Sequence, residues 1–77
     1  MSGTDTIALH LDRSSALVLF ELLARSAQSG RLEIAHEAER TVLAALEAEL
    51  ETILVEPFDP NYRDLVDKAR EALVADS

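Results

Sequence analysis

"DRSSALVLFELLARSAQSG", residues 12–30, decides the fold. Asp12 is a residue type that caps helix starts, and Gly30 supplies the left-handed position at which helices end, so the stretch predicts a helix over 13–29. Wound at 3.6 residues per turn, Leu17, Val18, Leu19, Phe20, Leu22, Leu23, Ala24 and Ala27 sweep about 260°, whereas a helix lying on one surface needs little more than about 100°. Ser14, Glu21, Arg25 and Gln28 fall on one narrow polar strip, with Glu21 and Arg25 spaced for an i,i+4 ion pair, and almost everything else is apolar. Such a helix must be covered from more than one side. Either it is central within its own chain, or part of the arc, Val18, Leu19, Leu22 and Leu23, meets the same surface of a second copy. An isologous two-fold contact is the commonest way to finish so small a core, and a homodimer is the expectation taken forward.

On both sides of this helix the apolar period changes from 3.6 to 2. Thr6 to Leu11 alternates through Ile7, Leu9 and Leu11, and Arg31 to Ala35 alternates through Leu32 and Ile34. The pattern predicts two short strands, 6–11 and 31–35, pairing within the chain or across a dimer. Residues 36–55 are rich in Ala, Leu and Glu with no Gly or Pro, which predicts the longest helix. Its Val42, Leu43, Leu46, Leu50, Ile53 and Leu54 fall within an arc of about 120°. A third helix is predicted over 60–75, with Tyr62, Leu65, Val66, Ala69, Ala72 and Leu73 on one face. Arg63/Asp67 and Asp64/Lys68 form opposite-charge pairs on the other.

Between these helices runs "VEPFDPNYRDL", residues 55–65, with both prolines and the only tyrosine. Pro57 disfavours helical geometry at Glu56, Asp59 offers a cap, and Pro60 suits a first helical position. The corner predicts an antiparallel hairpin of the second and third helices with Phe58 inserted between them. The expected fold is therefore α+β, mostly α: one domain over 1–77, with 1–4 and 76–77 frayed.

Composition narrows the function. The 77 residues carry net charge −8, and residues 33–56 hold seven glutamates against the single Arg40. A field of that sign opposes phosphate backbones, so nucleic acid is a disfavoured partner and a basic protein a compatible one. No cysteine is present, which removes disulfides and thiolate metal sites. No apolar run exceeds the length of Ala16 to Phe20, far too short for a membrane span. "MSGTDTIALHLDR" lacks a basic leader with an apolar stretch, and the expected location is the cytoplasm.

Searches for chemistry return little. "HEAER", residues 36–40, begins like a zinc-protease helix, but that signature needs a second histidine where Arg40 stands. His10, His36, Glu37 and Glu39 are the only conceivable metal ligands, and the reading assigns no metal or cofactor. Ser14 and Ser15 near Asp12 read as helix-start residues, since a serine nucleophile also needs a base and an oxyanion hole. Length and acidity resemble those of acyl carrier proteins, but the Asp-Ser-Leu attachment motif is absent. Glycine occurs only at Gly3 and Gly30, so there is no phosphate loop. The sequence therefore predicts a non-enzymatic protein-interaction module of antitoxin, immunity or regulatory-adaptor type. It would associate through Val18, Leu19, Leu22 and Leu23 and face its partner with Glu37, Glu47 and Glu51. The competing classes are a helical DNA-binding regulator and a small enzyme with an unrecognised site.

Overall fold

The computed structural model describes residues 6–75. The expected fraying at 1–4 and 76–77 lies outside the described residues. Three helices follow one another: α1 (Arg13–Ser29), α2 (Glu37–Ile53) and α3 (Tyr62–Ala75), with a single 3₁₀ turn, Glu56–Phe58, before α3.

Local chemistry sets the ends of these helices. The Asp12 carboxylate accepts from the Ser15 amide at 2.7 Å, and Gly30, at φ 67°, donates its N–H to the Ser26 carbonyl at 2.8 Å. The start of α2 has no Ser, Thr, Asp or Asn, and His36 takes the role: its Nδ1 accepts from the Ala38 amide at 2.9 Å. That geometry requires Nδ1 to be unprotonated. Glu39 reaches back to accept from the Ala35 amide at 2.8 Å, a variant of the reciprocal capping arrangement. Asp59 accepts from the Asn61 amide at 2.7 Å, closing a turn ahead of α3, which begins at Tyr62 and not at Pro60 as expected. α2 stops at Ile53, the residue whose carbonyl the ring of Pro57 would strike were the helix continued.

The expected α+β class is not found: among the described residues no strand occurs. Residues 6–11 precede one end of α1 while 30–36 leave the other, about 25 Å away along a helix of 17 residues. To pair with 6–11, the connector would have to run back along α1; instead it turns directly into α2. Its amides are also claimed locally, Arg31 donating to Ser29 Oγ at 3.2 Å and Ala35 to Glu39. Such side-chain bonds compete with a ladder, and a two-stranded sheet has little stability of its own.

Seven residues form the core: Leu17, Phe20 and Leu23 of α1, Leu50 and Leu54 at the end of α2, and Val66 and Ala69 of α3. α1 lies between the other two helices, packing against both, while α2 and α3 scarcely meet. The expected antiparallel hairpin of α2 and α3 is thereby corrected to two separate packings on α1. Phe58 is corrected as well, being 73% exposed. In a 3₁₀ turn, residues two apart point about 240° from each other, so Glu56 and Phe58 cannot both face inward. Glu56 takes the inner position and Phe58 the outer one.

The chain exposes 6138 Å². A monomer of this mass with ordinary compactness exposes about 4,600 Å². The surplus includes the side chains of Ile7, Leu9, Val42, Ile53, Val55 and Phe58. Two alanine substitutions separate core from surface. Phe20→Ala should lower the urea unfolding free energy by about 3–5 kcal/mol. Phe58→Ala should change it by no more than about 0.5 kcal/mol, as at an exposed position.

Candidate functional site

The C-terminal half of α1, the 30–36 connector and the N-terminal half of α2 enclose an apolar groove. Leu23 and Ala27 come from α1, Leu32 and Ile34 from the connector, and Leu43 and Ala44 from α2; Arg40 and Glu47 stand on its rim, and its volume is about 310 Å³. A second depression of about 450 Å³ continues it over Ala38 and Val42, sharing Leu32, Ile34 and Leu43. Gly30 turns the chain here through its left-handed backbone, which is what lets the connector fold over the gap between the two helices. Leu32 and Ile34 read as strand residues in the sequence. Their signal was an apolar pair in a short stretch after a helix-ending glycine, which points equally to a strap over a helix pair.

Beside the groove lies the acidic strip. At 100° per residue Glu37, Arg40, Ala44, Glu47 and Glu51 share one side of α2, so the three predicted glutamates do fall together. Glu51 is exposed and Glu47 half-buried at the groove rim. Glu37 is paired with Arg40 at 3.5 Å, so that end of the strip is partly neutralised. The four apolar residues predicted for self-association are divided between environments. Leu23 belongs to the core, Val18 and Leu19 are half-buried against it, and Leu22 is the most open at 41%.

Two long-range contacts hold the helices in place. Arg13 grips Glu56 side-on through one edge of its guanidinium, Nε at 2.6 Å and Nη2 at 3.3 Å, tying the start of α1 to the 3₁₀ turn. Burial opposes ionisation of Glu56, but the Arg13 hydrogen bonds and charge outweigh it and hold its carboxyl below the usual 4.5. The Ser15 amide likewise holds Asp12 below 3.8. Tyr62 donates its hydroxyl to Glu21 Oε1 at 2.7 Å, tying α3 to α1, with Arg25 3.8 Å from the other oxygen of Glu21. Burial, reinforced by the Glu21 carboxylate, pushes the Tyr62 phenol well above its ordinary value of 10.0. On α3, Asp67 pairs with Arg70 at 3.3 Å and not with Arg63.

The conceivable metal ligands do not gather. His36 and Glu39 are spent on the start of α2, and His10 sits exposed before α1. Among the described residues no three His, Cys, Asp or Glu side chains converge on a point. No helix among them is long and apolar enough to cross a membrane. The arrangement is that of a small helical domain whose notable surface is an apolar groove flanked by carboxylates. Comparison with protein-family models, curated proteins and solved structures finds no match to the chain.

Tyr62 is the only tyrosine, so ultraviolet titration reads it alone. Its phenolate should form above the range of free tyrosine, and Glu21→Gln should move it part of the way back. The stability owed to the neutral phenol is complete below its unfolded value and lost as pH rises toward the native one, so wild type should weaken more than Tyr62→Phe in strong alkali. Glu56 has the opposite sign. Its contribution is present above the ordinary carboxylate value and lost as pH falls through the lowered native one, so the stability advantage of wild type over Glu56→Gln should shrink on acidification.

Proposed function

We propose that this chain is a non-enzymatic protein-interaction module that works as a homodimer and offers the outer strip of α2 to a basic protein. The observation that carries the reading is the surplus of exposed surface. A three-helix chain with seven buried core residues leaves several large apolar side chains open, and a second copy is the simplest cover for them. Obligate small oligomers divide a core in this manner, because a chain this short buries only a modest fraction of its own surface.

Partner choice follows from charge. Glu47 and Glu51 lie four apart on α2 with no cation between them, a pair that repels by about 0.2–0.5 kcal/mol in isolation. A cationic partner would relieve that repulsion. Antitoxins, immunity proteins and regulatory adaptors work by such capture, and the cytoplasm is the compartment this reading assumes. Net charge −8 disfavours a nucleic-acid role.

Sedimentation equilibrium at micromolar concentration should return twice the 8.4 kDa chain mass. A monomer that stays monomeric as concentration rises would overturn the dimer. For the partner, the protein retained by tagged wild type from its native cells should be lost from the doubly reversed Glu47→Lys/Glu51→Lys variant. Raising ionic strength should weaken the wild-type complex, because the contact is between exposed charges. Retention by the reversed variant at equal affinity would remove the acidic strip from the account.

A further inference from the structure

The two most open of the large apolar side chains, Ile7 at 87% and Leu9 at 78%, lie on the segment before α1, with Leu11 at 48% beside them. We infer that residues 6–11 are an arm that docks, in a homodimer, in the apolar groove of the second copy between α1, the 30–36 connector and α2. The inference rests on the dimeric reading above and names the surface that makes the dimer.

Reach excludes the arm's own groove. From Asp12 to Ala27 the helix advances about 22 Å, and to Gly30 about 27 Å. Five residues back from Asp12, Ile7 stands at most about 18 Å away even in a fully extended chain. Leu9 and Leu11 fall much shorter. Only the near rim at Leu23 is accessible within one chain, so the three side chains cannot lie together in the groove except across a dimer. An antiparallel crossing of two α1 helices supplies that arrangement, because it sets each helix start beside the other's end. The outward strip of α1 suits the crossing: Val18 and Leu22 sit near its middle, one half-buried and one exposed. Both arms then dock at once, and the contact closes on itself.

Charge selects the same pair of surfaces. Thr6-Ile7-Ala8-Leu9-His10-Leu11 contains no Asp, Glu, Lys or Arg, in a chain of net charge −8. Two such chains repel over most of their surface. The arm is uncharged and the groove is mainly apolar, with Arg40 and Glu47 in its lining and Glu33 and Glu39 beside its extension, so docking brings no carboxylate of the arm against them. In an extended backbone Ile7, Leu9 and Leu11 also share one side. Area suffices: the surplus over an ordinary monomer is about 1,500 Å² per chain, more than the roughly 800 Å² that a standard interface takes from each partner.

Because the chain has no cysteine, Thr6→Cys gives a single spin-label site on the arm. Labelled chains are mixed with isotope-labelled chains that carry no spin label, so that only contacts between copies broaden signals. Broadening is expected at amides of residues 30–34 and 42–44. Broadening confined to residues 6–11, as in arm-to-arm contact, or absent altogether would overturn the inference. In parallel, Ile7→Asp/Leu9→Asp should raise the dimer dissociation constant at least tenfold with helical circular dichroism unchanged. A wild-type dimer whose dissociation constant the variant leaves unaltered overturns the arm and spares the dimer; a monomeric wild type overturns both.

Discussion

The row Leu17, Phe20, Leu23 on α1 is the constraint on which everything else depends. These three side chains are the contribution to the core of the helix that packs against both others. α2 and α3 barely touch, so neither has a hydrophobic partner without α1 between them. A core of this kind is narrow: it uses the inward third of a helix whose apolar arc is far wider. What remains of that arc, with the apolar residues of the connector and of the segment before α1, stays at the surface.

So small a core specifies position weakly, and polar contacts supplement it. The Arg13–Glu56 grip places the corner after α2 against the start of α1, and the Tyr62–Glu21 bond holds α3 to the middle of α1. Both join residues more than forty positions apart. Each is charge-assisted and each has one partner with limited exposure, which makes it worth more than an exposed ion pair. The pairs inside single helices, such as Glu37–Arg40 and Asp67–Arg70, are exposed and orient nothing beyond their own element.

The surface is divided by chemistry. Acid is gathered on the outer strip of α2, while the segment before α1 is uncharged and the groove is mainly apolar with charged side chains along its edges. On a chain of high net negative charge this division has a consequence for association: like copies approach where charge is absent, and unlike partners of positive charge approach where it is dense. As proposed, self-association and partner capture meet at the groove rim, where Glu47 belongs to both surfaces, while Glu51 is left to the partner alone.

By itself the sequence determined what is local. The helix of residues 13–29 was legible from Asp12, Gly30 and the apolar run between them, and the common face of Glu37, Glu47 and Glu51 from spacing alone, because caps and helical faces depend on neighbours within a few residues. The sequence also showed that α1 was too apolar for one covering surface. It could not show that the alternating stretches 6–11 and 31–35 lack partners. Alternation states which side chains share a side, whereas a strand exists only if another backbone lies alongside. Phe58 missed its expected inner place for a similar reason: an arginine 43 positions away drew the Glu56 carboxylate to the inner side of the turn. That choice, the separation of α2 from α3 and the groove under Leu32 and Ile34 were decided by tertiary structure, since each depends on where a distant part of the chain comes to rest.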